Sequence, residues 1–168
     1  MIKNKLQSKV VNIGFWPIII VVSLLPLSLA RLGADLYLMP QIEVAATFFL
    51  SIYARTKSWQ FFLYGLFIDV AYGHPIGISS LTLLLLHHII GKFKANLSKQ
   101  NIWVILVYFA CSQLAISILK YIIFSIYYSS EIIGFNGEIL INLLINIIFY
   151  PIIHSLLSNR IYLKNHEN

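Results

Sequence analysis

Six apolar runs, parted by segments of only a few residues, take up most of this chain and leave little else from which to build a surface. A helix needs about 20 apolar residues to cross the hydrocarbon core of a bilayer, with about 17–25 the usual range. The runs fall at 13–30, 36–54, 59–72, 76–91, 102–128 and 139–158. The third and fourth are short, and the turn Gly73-His74-Pro75 parts them. Charged residues make up 11% of the 168, against about 25% in soluble domains. So sparse a set cannot coat a soluble core of this size. An ordinary cytosolic enzyme, a secreted disulfide scaffold and a disordered tail are excluded. The expected fold is all-α and integral to the membrane: residues 1–168 as one polytopic domain, a compact bundle of about six transmembrane helices.

The basic residues set the orientation, because Lys and Arg in short loops stay on the cytoplasmic side. Lys3, Lys5 and Lys9 precede the first run; Arg55 and Lys57 follow the second; Lys92, Lys94 and Lys99 follow the fourth; Arg160 and Lys164 follow the sixth. The opposite loops hold Arg31 with Asp35, then His74, then Glu131 and Glu138. Both termini are therefore expected in the cytoplasm, in a multi-pass protein of the bacterial cytoplasmic membrane. Residues 59–91 read either as two short spans or as one re-entrant hairpin, since both begin and end on the same side. A signal peptide is disfavoured at 13–30, where no small-residue cleavage site follows and further spans do. The net charge of +6 does not point to nucleic acid, because no dense basic stripe with interleaved aromatics is present.

Polar residues inside the runs fall on helical rows, since positions four apart share a face. Glu43, Thr47, Ser51 and Arg55 form one; Phe61, Gly65, Asp69 and Gly73 another; Gly77, Ser80, Leu84, His87 and Gly91 a third. Gln113, Ser117 and Lys120 line up in the fifth run, and Asn142, Asn146, Tyr150, His154 and Ser158 in the sixth. Small and polar residues on one face let membrane helices approach closely and hydrogen-bond across the contact. A bundle with a polar interior is expected, with Leu, Ile and Phe turned to lipid.

Asp69 is the most informative of these residues. A carboxylate at mid-span costs roughly 2.5–3.5 kcal/mol even on insertion scales, so it must face protein or water. Three readings are open: a structural hydrogen bond or ion pair at a helix contact, a proton or cation site, or a contact for a lipid head group or partner helix. Lys120 lies at a similar depth, so a pair between Lys120 and either Asp69 or Glu43 is expected.

The chain carries little that suggests chemistry. His87 and His88 point about 100° apart on a helix and do not readily ligate one ion, and neither a Glu-x-x-His nor a His-x3-His spacing accompanies them. Cys111 is the lone cysteine, so neither a disulfide nor a cysteine metal cluster is expected. Neither a nucleophile elbow nor a phosphate-cradling glycine loop is present. No catalytic residue, metal or cofactor is assigned, and the expectation is a protein that is not an enzyme.

The stretch Gly65-Leu66-Phe67-Ile68-Asp69-Val70-Ala71-Tyr72-Gly73-His74-Pro75-Ile76-Gly77-Ile78 resembles the signature of the rod shape-determining protein MreD family. That family carries a Gly-Leu-x-x-Asp segment, a glycine four residues on, and a Pro-x-Gly-like step into the next helix. Tyr150-Pro151 matches an aromatic-Pro pair in its last span. The likeness is specific over about residues 60–92 and generic elsewhere. It implies a non-enzymatic membrane member of the bacterial cell-elongation machinery, associated with the bitopic protein MreC. Through MreC, such a protein links cytoplasmic MreB filaments to periplasmic peptidoglycan synthases. Position by position, Gly65, Asp69, Gly73, Pro75 and Gly77 match the motif and are assigned bundle shaping and a polar pocket. Glu43, Lys120, Asn142 and Asn146 join them from the residue rows alone.

The family is similar in fold to the substrate-binding subunits of energy-coupling-factor vitamin transporters, which supply the rival reading. In that case Lys120, Glu43, Asp69 and Asn142 line a pocket under an aromatic lid, for which Tyr37, Tyr72, Tyr127 and Tyr128 are candidates. A lipid-processing enzyme is a third class, and would need activity that vanishes with Asp69→Asn.

Overall fold

The computed structural model describes residues 16–31, 39–54, 56–128 and 137–166, which are helical throughout apart from short turns, without a strand among them. Helix α1 covers residues 16–23 and α2 Leu25–Arg31. The two are segments of one rod broken at Leu24, where Pro26 has no N–H to give the carbonyl of Val22. Then follow α3 (Ile42–Tyr53), α4 (Ser58–Tyr72), α5 (Ile78–Leu97), α6 (Ile102–Tyr128) and α7 (Gly137–His166). The basic and acidic residues Lys3, Lys5, Lys9, Asp35, Arg55 and Glu131 lie outside the described residues, as do the side chains of Arg31, Glu138, Arg160 and Lys164.

By length and composition two helices can cross a membrane, over Ile102–Ile123 and Leu140–Ser158. The 27-residue α6 and 30-residue α7 are about 40 and 45 Å long at 1.5 Å per residue. Pro151 sits inside α7, a placement that membrane helices tolerate where neighbours re-satisfy the freed carbonyl. Helix α5 runs beyond the apolar stretch at 76–91 and carries Lys92 and Lys94 on its last turns.

Helix α3 departs most from the apolar run that encodes it. The run begins at 36, but the helix begins at Ile42, after Pro40 and a non-helical Gln41. Twelve residues make only about 18 Å of helix, well short of the roughly 30 Å hydrocarbon core. Every residue from Glu43 to Ile52 is buried. A helix enclosed on all sides is a core element, and α3 is the axis on which α5, α6 and α7 pack.

The packing around it is aromatic. Phe48 meets Phe109 of α6 at 5.3 Å between ring centroids and Tyr150 of α7 at 5.5 Å, both edge to face. Phe109 and Tyr150 stack on each other at 4.3 Å. Such pairs contribute about 0.5–1.5 kcal/mol each beyond their buried area. The opposite sides of the helices present Phe62, Val70, Trp103, Val107, Ile122 and Ile126 outward, as lipid-facing surfaces do. Phe48→Ala should therefore destabilise the purified protein by about 3–5 kcal/mol, read as a lowered thermal unfolding midpoint, whereas Phe62→Ala should shift it by less than about 0.5 kcal/mol.

Candidate functional site: a capped hairpin and a polar interior

Helices α4 and α5 form a tight hairpin, and the residues of the glycine-aspartate stretch build it. Helix α4 ends at Gly73, whose φ of +68° is a left-handed cap that glycine adopts without a Cβ penalty. The N–H groups of Gly73 and His74 both turn back to the carbonyl of Asp69. Pro75 turns the chain, and Gly77 precedes α5 with a φ of +104°. A helix start leaves its first N–H groups without partners inside the helix. Here the Asp69 carboxylate takes two of them: Oδ2 accepts from the Gly77 N–H at 2.7 Å and Oδ1 from the Ser79 N–H at 2.9 Å. A negative charge is also stabilised beside the positive end of a helix dipole. Asp69 is fully buried, and of its three readings this geometry is the structural hydrogen bond.

Gly65 lets the two helices close. A Cβ there would sit 2.3 Å from the Ser80 Cα and 2.5 Å from its nitrogen, closer than any real contact. Ser80 adds a hydrogen bond from its hydroxyl to the Phe62 carbonyl at 3.0 Å. Gly91, which shares a row with Ser80, differs: a Cβ there meets nothing within 4 Å, so it makes no close approach.

The ends of the buried helix α3 are capped from other helices in the same manner. At its start, the Gln41 N–H donates to Asn146 Oδ1 of α7 at 2.6 Å, and Asn142 Nδ2 donates to the Met39 carbonyl at 3.1 Å. Asn146 is itself held by Asn142, through Nδ2 to the Asn142 carbonyl and side chain at 2.9 and 2.7 Å. Gln113 Nε2 of α6 donates to Gln41 Oε1 at 2.9 Å. At its other end, Lys94 Nζ of α5 donates to the carbonyl of Ala54, a cation at a helix C-terminus. Glu43 occupies the first turn of α3, where the dipole favours a carboxylate.

Glu43 also forms an ion pair. Lys120 Nζ lies 4.0 Å from Glu43 Oε1, and the two side chains are 14% and 9% exposed. Of the two acids expected to face Lys120, the ion pair goes to Glu43, while each Asp69 oxygen accepts a backbone N–H. Tyr64 and Tyr72 of α4 lie within electrostatic reach of Glu43. They tie α4 to the first rod: Tyr64 OH and Ser23 Oγ share a short hydrogen bond, and Tyr72 OH donates to the Ser23 carbonyl at 2.9 Å. Tyr72, a candidate for an aromatic lid, is thus a latch between helices. Tyr37 and the side chains of Tyr127 and Tyr128 lie outside the described residues. In the hairpin turn, burial and then the charge of Lys120 hold the His74 imidazole below its ordinary range, against the opposing pull of Asp69.

The remaining polar residues are dispersed. His87 Nδ1 is 2.9 Å from Ser51 Oγ and its ring packs on Phe61, while His88 is exposed. His154 packs edge-on to Phe49 and lies 3.4 Å from Tyr53 OH. No group of three or more His, Cys, Asp or Glu able to hold a metal comes together among the described residues. Gln41, Tyr64 and Ser23 are members of the polar interior that residue rows do not reveal. A polar residue beside Pro40 is the signal for Gln41; Tyr64 and Ser23 give none.

The described residues form a helical bundle with two helices long and apolar enough to cross a membrane, a core charge pair and helix ends capped from neighbouring helices. The model of the rod shape-determining protein MreD family matches residues 7–160, and this chain belongs to that family. No curated protein and no solved structure matches the chain. The family is a membrane-associated component that determines rod cell shape.

The Glu43–Lys120 contact gives a test of the interior. Leaving one partner of a buried pair uncompensated costs about 3–5 kcal/mol. Glu43→Lys or Lys120→Glu alone should lower the unfolding midpoint of the purified protein accordingly, and the double exchange should restore most of the loss. Equal instability of the double exchange would count against the pair.

Proposed function

We propose that this protein is a non-enzymatic membrane scaffold of the bacterial cell-elongation complex. It binds MreC, and through MreC it couples cytoplasmic MreB filaments to the peptidoglycan synthases outside. The observation that carries this reading is the family match over residues 7–160. The chemistry of the interior supports it: the deepest carboxylate, Asp69, is occupied by two backbone N–H groups and has a shaping role in a hairpin. A scaffold needs a rigid surface of fixed shape more than a reactive group. We also propose six crossings with both termini in the cytoplasm, on the strength of the ten basic residues on that side.

Affinity purification of a tagged copy from gently solubilised native membranes tests the partner. MreC should co-purify with the wild-type chain. Gly65→Leu has no room against Ser80; it should lose MreC and leave cells rounded. Gly91→Leu faces open space and should keep both MreC and rod shape. Recovery of a transmembrane coupling subunit with paired ATPases, in place of MreC, would instead make the chain a vitamin-capturing subunit.

Cysteine labelling in a Cys111→Ser background tests the topology. Ile76→Cys sits on the exposed hairpin turn, 76% accessible. It should react with a membrane-impermeant maleimide from outside intact spheroplasts, and Lys99→Cys only after lysis. A re-entrant hairpin would leave Ile76→Cys unlabelled from outside.

A further inference from the structure

The end of the α5–α6 pair that the proposed topology puts in the cytoplasm holds a feature that the scaffold reading does not use, and its role as inferred here rests on that topology. A cavity of about 250 Å³ opens there, lined by Phe93, Asn96, Leu97, Gln100, Val104 and Tyr108. That is roughly eight times the volume a water molecule takes in the liquid, about 30 Å³. We propose that this cavity binds the head group of an anionic phospholipid.

Three observations converge on that ligand. The first is charge. Lys92 on α5 and Lys99 in the turn after it adjoin the lining residues Phe93 and Gln100 in the chain, and both are exposed. Among the described residues no carboxylate forms an ion pair with either. Asn96 and Gln100, both with amide side chains, are among the lining residues. Ammonium groups beside a concave wall that carries amide side chains suit a phosphodiester, and basic patches at the cytoplasmic face of a membrane attract anionic head groups.

The second is depth. Trp103 on the first turn of α6 and Trp59 on the first turn of α4 are 72% and 57% exposed. Exposed tryptophans at helix ends mark the membrane–water interface, so the cavity lies at head-group level. The third is the shape of the opening. Phe93, Val104 and Tyr108 are 44%, 38% and 41% exposed, so the apolar side of the cavity continues onto the lipid-facing surface. Leu97, 1% exposed, closes the floor. An acyl chain has a path out along Phe93 and Tyr108, whose rings stand 6.3 Å apart. A soluble anion would use the lysines and leave this apolar wall without a role.

The test is native mass spectrometry of the delipidated full chain. It is supplied with phosphatidylglycerol or with phosphatidylethanolamine of the same acyl chains. One phosphatidylglycerol should be retained in preference. The double variant Lys92→Gln/Lys99→Gln should weaken its binding roughly 30-fold, about 2 kcal/mol at tenfold per 1.4 kcal/mol. Val104→Trp, which fills the cavity and keeps both lysines, should weaken it comparably, and Lys57→Gln on the neighbouring loop should not. Three results would overturn the proposal: equal retention of the two lipids, an equal loss with Lys57→Gln, or full binding by Val104→Trp. Complete displacement of phosphatidylglycerol by glycerol 3-phosphate at matched concentration would assign the site to a soluble phosphate and overturn the lipid.

Discussion

The Asp69 carboxylate holds the first turn of α5, and the shape of the bundle depends on it. In a bilayer no water reaches the core to solvate a bare N–H, so each backbone group must find its partner inside the protein. A helix that crosses the membrane in one piece meets this condition except at its ends, which lie in water. A helix of 12 residues such as α3 is too short to put both its ends in water, and in the tight α4–α5 hairpin the start of α5 is packed against protein. This chain meets the difficulty with side chains from neighbouring helices. Asp69 serves α5, Asn146 the start of α3, and Lys94 its finish. Each cap is also a tie between two helices, so the groups that make short helices tolerable are the ones that fix the fold.

The same economy explains why a polar interior does not imply catalysis. The polar atoms of Asp69, Asn142 and Asn146 meet backbone groups, and Lys120 meets Glu43. The result is a rigid core around α3, with an outer surface free to meet lipid and partners. That build suits a member of the MreD family, a membrane-associated component that determines rod cell shape.

Much of the hairpin was legible from residue spacing, because its parts are local. Gly65, Asp69 and Gly73 fall four apart on one face, and a helix followed by Gly-His-Pro must turn. The caps on α3 were not legible, since Gln41 and Asn146 are 105 residues apart and nothing in a helical row names its partner. Lys120 shows the same limit. The cost of an intramembrane charge says that an opposite charge must be near, but it does not choose between Asp69 and Glu43. The choice is visible only in the packed bundle, where Lys120 lies against Glu43 and Asp69 meets the Gly77 and Ser79 amides. The late start of α3 had a sign in Pro40, yet hydropathy alone carried the run back to 36. Gly91 misleads in the other direction: it lies on a row of small and polar residues, but the helix has turned it into open space.

The most direct test of this account is amide hydrogen exchange at Gly77 and Ser79, followed by NMR on the isotopically labelled protein in micelles. Both amides should exchange slowly in the wild-type chain. In Asp69→Ala they should exchange at least tenfold faster, in step with a loss of 1.4 kcal/mol or more for a charge-assisted bond, while amides in the middle of α6 stay unchanged. Unaltered protection of Gly77 and Ser79 in Asp69→Ala would show that the carboxylate does not hold the helix start, and would contradict the account.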